Sequence, residues 1–168
     1  MSTPKFTMLW QNFPDHDKYP TLKELHKFIG GTLEKNIGTP GFPANGNTCA
    51  VRMSRALNYS FFPISSKVAK NLKIETMTGA DGKLYIFRVR NLKTYLQQEL
   101  DITPSRVTKN FATAFSGKRG IVCFDISGWS DASGHIALWD GSSFRETHDD
   151  YRNPPAPAKV DAMTLWAL

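Results

Sequence analysis

Apolar residues follow a helical period through most of the N-terminal half and a strand-like period towards the C-terminus, so helices are expected first and a sheet after them. The segment up to Pro20 reads as irregular, with Trp10 and Phe13 pinned against the core. A helix then starts at Thr21: Thr21 and Glu24 make a capping box, and Leu22, Leu25, Phe28 and Ile29 form one apolar stripe. Gly30 and Gly31 interrupt it, a short second helix runs towards Ile37, and the Pro/Gly loop TPGFPANGN leads into a third helix over 49–57. An aromatic turn at 60–63, a short amphipathic helix over 66–72 and a turn at 79–83 follow. Tyr85, Phe87 and Val89 alternate with Ile86, Arg88 and Arg90, the pattern of a half-buried strand. Asn91 caps a helix in which Leu92, Tyr95, Leu96 and Leu100 share a face, and VTKNFATAF after Pro104 reads as a further short helix. A central strand over 118–126 and its neighbour over 135–139 flank the loop 127–134. A Pro-rich connector at 153–157 then precedes a terminal strand over 159–168. The expected fold class is α+β, one domain over 1–168 without internal repeats.

Composition narrows the class. A chain of 168 residues buries roughly two-thirds of its unfolded surface without help from metals or disulfides. Forty per cent of it is hydrophobic, with eleven Phe, five Tyr and four Trp, which excludes low complexity and gross disorder. No apolar run reaches the length of about 18 residues that a membrane span needs, and MSTPKFTMLWQNF lacks a basic region followed by an apolar core, so no signal peptide is expected. The net charge of +6 comes from 21 basic and 15 acidic residues scattered along the chain; Lys67, Lys70 and Lys73, or Lys118 and Arg119, are too sparse for a nucleic-acid reader. Two cysteines make no disulfide framework, and both are expected to be free, with Cys123 a core thiol inside IVCFDI. Among His16, His26, His135 and His148 no pair has metal-ligand spacing, so neither a metal nor another cofactor is expected.

Candidate chemistry lies in two blocks. In the first, Asn47 is a good N-cap, which puts Thr48 and Cys49 in the first turn of a helix, where unpaired N–H groups and the helix dipole favour a thiolate. In the second, His135 opens the apolar run Ile136, Ala137, Leu138 and Trp139, which ends in the hairpin dipeptide Asp140-Gly141. With those two as the turn residues, Trp139 pairs with Ser142, Ala137 with Phe144, and His135 lies opposite Glu146. A carboxylate there fixes the imidazole tautomer and frees its other nitrogen to take a proton from a thiol. Asp149 is the alternative third member. The backbone N–H of Cys49 and a side-chain amide, Asn45 or Asn47, are candidate oxyanion donors, and Trp129 and Asp131 on the loop before His135 are candidate substrate contacts.

The order of cysteine on a helix and histidine on a following hairpin resembles papain-like thiol hydrolases, in particular NlpC-type cell-wall peptidases. NxCAxRMSxALN around Cys49 with SGHxxLWDG around His135 is similar to the fourth family of type VI secretion amidase effectors. The resemblance implies a papain-like fold, with Cys49 and His135 as nucleophile and base. It implies a DL-endopeptidase activity on the peptidoglycan stem peptide, between γ-D-glutamate and meso-diaminopimelate. It further implies synthesis in the cytoplasm, delivery by a type VI secretion apparatus, action in the periplasm of a target cell, and an immunity protein that occludes the cleft. The other readings of the same residues are a thiol acyltransferase or deamidase of related fold, and a non-catalytic binding module.

Overall fold

The structure is a computed structural model that describes residues 3–130 and 133–168. The described chain runs through α1 (Phe6–Asn12), α2 (Leu22–Ile29), α3 (Gly31–Lys35), α4 (Cys49–Asn58) and α5 (Ser66–Asn71). A small hairpin of β1 (Met77–Thr78) and β2 (Leu84–Tyr85) and then α6 (Val89–Glu99) lead to β3 (Ser105–Val107), β4 (Gly120–Ser127), β5 (Gly134–Trp139) and β6 (Lys159–Ala167). The last four form one antiparallel sheet in the order β3-β6-β4-β5. No helix among the described residues is long and apolar enough to cross a membrane.

Helix α4 is the hub, packed against α1, α6, β2 and β5. Cys49, Ala50, Met53, Ala56 and Leu57 enter the main core together with Ile121 and Cys123 of β4 and Ile136 and Leu138 of β5, while Val51 faces a smaller cluster with Leu25, Ile29 and Tyr85. The alternate positions of β4, Val122, Phe124 and Ile126, pack on the far side of the sheet against Met163 and Leu165. Both faces of β4 are therefore buried, which is why its sequence is a continuous apolar run and not an alternating one.

A helix buried on this many sides must satisfy its own polar side chains. Arg52 is fully buried and donates from Nε to Thr48 Oγ1 at 2.8 Å, from Nη1 to the Pro14 carbonyl at 2.8 Å and from Nη2 to the Tyr19 carbonyl at 2.6 Å. Ser54 Oγ donates to the Ile86 carbonyl at 3.0 Å and accepts the Ile86 N–H at 3.1 Å, and Asn58 donates to Leu84 O while accepting from Ile64 N–H. These bonds stitch α4 to the N-terminal loop on one side and to the chain around β2 on the other.

Most expected elements are present, including the Thr21/Glu24 capping box, the short helix after Gly30, and the strands β4, β5 and β6. Four expectations fail for identifiable reasons. The supposedly irregular N-terminus forms α1, with Phe6 and Leu9 buried in the main core. The strand expected over 85–90 stops at Tyr85, because Ser54 takes both backbone groups of Ile86 and α6 begins at Val89, so that its N-cap is Arg88 and the expected cap, Asn91, lies inside the helix. The helix expected in VTKNFATAF is replaced by the end of β3, which pairs with β6, and a single 3-10 turn over Phe111–Thr113. Left-handed backbone at Asn110 (φ 58°) and Phe115 (φ 63°) breaks the helical path there.

The fourth failure concerns the turn after β5. Trp139 pairs with Phe144, not Ser142, and Arg145 N–H bonds Leu138 O at 2.9 Å. The loop holds four residues, 140–143, because the Asp140 carboxylate accepts the N–H groups of Ser142 and Ser143 at 2.7 Å each while Asp140 N–H bonds Ser143 O at 3.0 Å. Beyond Arg145 the chain leaves the sheet and makes a 3-10 turn over Thr147–Asp149.

Arg52→Lys is expected to destabilise the protein by about 2–4 kcal/mol, because an ammonium cannot reach three acceptors set out for a planar fork and leaves buried oxygens unpaired. Chemical denaturation of the variant against the wild type measures this difference.

Candidate active site

Cys49 is the first residue of α4, one position later in the cap than the sequence suggested: Thr48 is the N-cap, and the Asn47 side chain bonds inward from the loop, its Oδ1 accepting the Cys49 N–H at 3.0 Å. The candidate first oxyanion donor is thus held by the candidate second one. Cys49 is 4% exposed, and that small fraction faces a cleft of about 350 Å³ lined by Asn45, Asn47, Thr48, Trp129, His135 and Tyr151 among others. Both cysteines are free, but Cys123 is sealed in the core and burial pushes its thiol up to about 12.

His135 stands at the start of β5, opposite Phe124 of β4. A side chain at the preceding Gly134 would bring its Cβ to 2.3 Å from the Phe124 carbonyl, so only glycine allows β4 and β5 to approach this closely beside the imidazole. Tyr151 packs on the imidazole with ring centroids 4.6 Å apart, and Trp129 meets the Tyr151 ring edge-on at 5.2 Å. The imidazole and Cys49 line the same cleft, and the ring's Nε2 contacts Asp149 Oδ1 at 2.7 Å. With Asp149 on Nε2, the nitrogen left for the sulfur is Nδ1. Burial alone would lower the proton affinity of this ring; the charge of the Cys49 sulfur, followed by the Asp149 hydrogen bond, outweighs it and pushes the pKa up to about 10.

The expected partner of His135, Glu146, is not there. Because the loop after β5 is two residues longer than a tight hairpin turn, the cross-strand position never forms, and the 3-10 turn that follows carries Asp149 to the imidazole instead. Glu146 points to the N-terminal loop, where its Oε1 accepts the His16 N–H and its Oε2 meets His16 Nδ1, both at 2.6 Å. Burial opposes its ionisation, but the two His16 bonds outweigh that and hold the carboxyl below its usual range. Asp149 is 1% exposed, and its second oxygen has no hydrogen-bond partner among the described residues.

Of the other candidates, Asn45, Asn47 and Trp129 all line the cleft, and Asp131 lies outside the described residues. Sequence reasoning passed over Tyr151, which has no motif and reaches the imidazole only through the irregular chain after Asp149. His16 and His148, set aside for want of ligand spacing, are brought together in the cleft wall by the fold from opposite ends of the chain, where no spacing rule applies.

A thiol and an imidazole with raised proton affinity in one cleft, with a buried carboxylate on the far nitrogen of the ring, make a constellation suited to acyl transfer. The family model described as type VI secretion system amidase effector protein 4, Tae4, matches residues 45–166, which contain all three groups. Among solved structures, the type VI effector–immunity complex Tae4–Tai4 from Salmonella Typhimurium is 32% identical with a TM-score of 0.83 over 99% of each chain. The Tae4–Tai4 complex from Enterobacter cloacae is 32% identical at 0.82, again over 99% of each chain, and the effector Tae4 from Enterobacter cloacae is 33% identical at 0.80 over 99% of this chain and 98% of that one. Comparison with curated protein sequences gives no match. The chain is therefore a member of the Tae4 family of type VI secretion amidase effectors, with the α+β papain-like fold of that family.

Proposed function

We propose that this protein is a cysteine amidase of peptidoglycan, a DL-endopeptidase that cuts the stem peptide between γ-D-glutamate and meso-diaminopimelate. The observation that carries the chemistry is the Cys49–His135–Asp149 array in an open cleft. The substrate class rests on membership of an amidase effector family together with the cell-wall resemblance of the two motifs.

In this reading His135, already an imidazolium paired with the charged Cys49 sulfur, stays protonated as the sulfur attacks the scissile carbonyl, and its proton then goes to the leaving amine as the C–N bond breaks. Water, deprotonated by His135, hydrolyses the thioester and returns the free thiol and a carboxylic acid. Asp149 keeps the ring in the tautomer with a proton on Nε2 and stabilises the imidazolium. The Cys49 N–H exchanges its bond to Asn47 for one to the oxyanion, and the Asn47 amide, once released, is placed to turn its NH2 towards the same oxygen. Burial of the pair behind Tyr151 and Trp129 lowers the local dielectric and strengthens each of these contacts.

As an effector of this family the chain is delivered by a type VI apparatus, acts in the periplasm of the target cell and is held in check by an immunity protein covering the cleft. The solved complexes of its relatives Tae4 and Tai4 support that partner.

Digestion of purified sacculi is expected to release fragments ending in γ-D-glutamate and beginning with meso-diaminopimelate, and Cys49→Ala to release none. Intact fragments beside an acylated or deamidated protein would reject the hydrolase. Asp149→Asn is expected to lower kcat by about 10²- to 10⁴-fold, in line with a mis-set tautomer, whereas Glu146→Gln costs less than about tenfold. Steady-state rates on a stem-peptide substrate compare the two variants, and the reverse ranking would return the orienting role to Glu146.

A further inference from the structure

The wall of the cleft holds a second group of titratable side chains that the proposed reaction does not use. His16 Nδ1 lies 2.6 Å from Glu146 Oε2 and 2.8 Å from His148 Nε2, and His148 Nε2 lies 3.7 Å from the same carboxylate oxygen. Both histidines border the cleft that contains Cys49.

Hydrogen bonding does not account for this convergence. A ring nitrogen carries either one proton or one lone pair in its plane. If His16 Nδ1 donates to the carboxylate, it has no lone pair for His148; if it accepts from His148, it turns a lone pair towards the carboxylate oxygen. At most one of the two short contacts has a proton of its own. A cation seated among the three atoms satisfies all of them at once, using the lone pairs of two neutral imidazoles and one carboxylate oxygen.

We propose that His16 Nδ1, His148 Nε2 and Glu146 Oε2 form a three-ligand site for a divalent cation of zinc type. Two imidazoles and a carboxylate are a donor set suited to such ions. Bonds of about 2.0–2.2 Å in a tetrahedron place ligand atoms roughly 3.3–3.6 Å apart, so the two shorter contacts need only open by less than about 1 Å. The outer support is already in place, since the His16 N–H holds Glu146 Oε1 at 2.6 Å and turns Oε2 into the cluster. The rings stand nearly perpendicular, at 88°, so their lone pairs converge without stacking. Exposure is graded, with the Glu146 side chain 7%, His16 27% and His148 52% accessible, which buries the charged ligand and leaves the fourth position open to the cleft for water or an anionic ligand.

Such an ion would clamp the loop carrying His16 to the 3-10 turn carrying Asp149, so binding stabilises the folded chain around the reacting groups. Because a thiol and an imidazole in the same cleft also attract zinc, the test uses Cys49→Ala protein. Calorimetric titration of that protein with zinc chloride is expected to give one equivalent bound and a rise in Tm. His148→Ala in the same background, at a half-exposed position that does not threaten folding, is expected to weaken binding by more than about 100-fold and abolish the Tm rise, and Glu146→Gln to weaken it likewise. Cobalt(II) as a probe should give the visible absorption of a nitrogen- and oxygen-ligated ion without a thiolate charge-transfer band. The proposal is overturned if Cys49→Ala protein takes up no zinc at millimolar concentration, or if its zinc binding is indifferent to His148→Ala. The amidase reading stands or falls separately on the sacculus digestion.

Discussion

The buried guanidinium of Arg52 is the contact on which the arrangement of the molecule turns. A cation with no exposed surface is costly unless its nitrogens are hydrogen-bonded, and here each of the three is, to the helix cap at Thr48 and to the carbonyls of Pro14 and Tyr19 in the N-terminal loop. Burial lowers its pKa, while the negative charges of Glu146, Asp149, Asp15 and Cys49, in that order, favour the charged form. The cation sits within the field of the proposed nucleophile and the carboxylate that orients its base. One residue thus ties the start of α4, the loop bearing His16 and the electrostatics of the cleft into a single unit.

Around that anchor, α4 fixes Cys49 and β5 fixes His135, and the two elements pack directly against each other. A rigid helix start and a strand start are better supports for paired reacting groups than loops are, because their backbones are held by ladder bonds and core packing on both sides. The third group has a different origin. Asp149 belongs to a 3-10 turn, so its placement depends on the length of the loop after β5, which the Asp140 carboxylate sets by gathering the amides of Ser142 and Ser143.

This contrast explains how much of the molecule was legible in the sequence. Cys49 and His135 stand in motifs with local causes, a helix start after a turn-forming loop and an apolar run after a glycine, and the helix and strand that carry them follow from those local patterns. The carboxylate was misassigned because a two-residue turn and a four-residue turn are both compatible with Asp-Gly-Ser-Ser, and the side-chain capping that decides between them is a three-dimensional event. The strand expected over 85–90 and the helix expected in VTKNFATAF failed for the same kind of reason: Ser54 on a distant helix and β6 at the end of the chain override the local preference. The His16, Glu146 and His148 group was invisible because its members lie 130 and 132 positions from His16, and spacing rules apply only to ligands that share an element.

The central claim is that the Cys49 sulfur is activated by His135. Its most direct measurement is the rate of Cys49 alkylation by iodoacetamide at neutral pH, followed by peptide mass analysis in wild type and His135→Ala. The account predicts that Cys49 in the wild type reacts faster than a free cysteine, and that His135→Ala slows it by about tenfold or more with Cys123 unmodified throughout. Equal rates in the two proteins would contradict it.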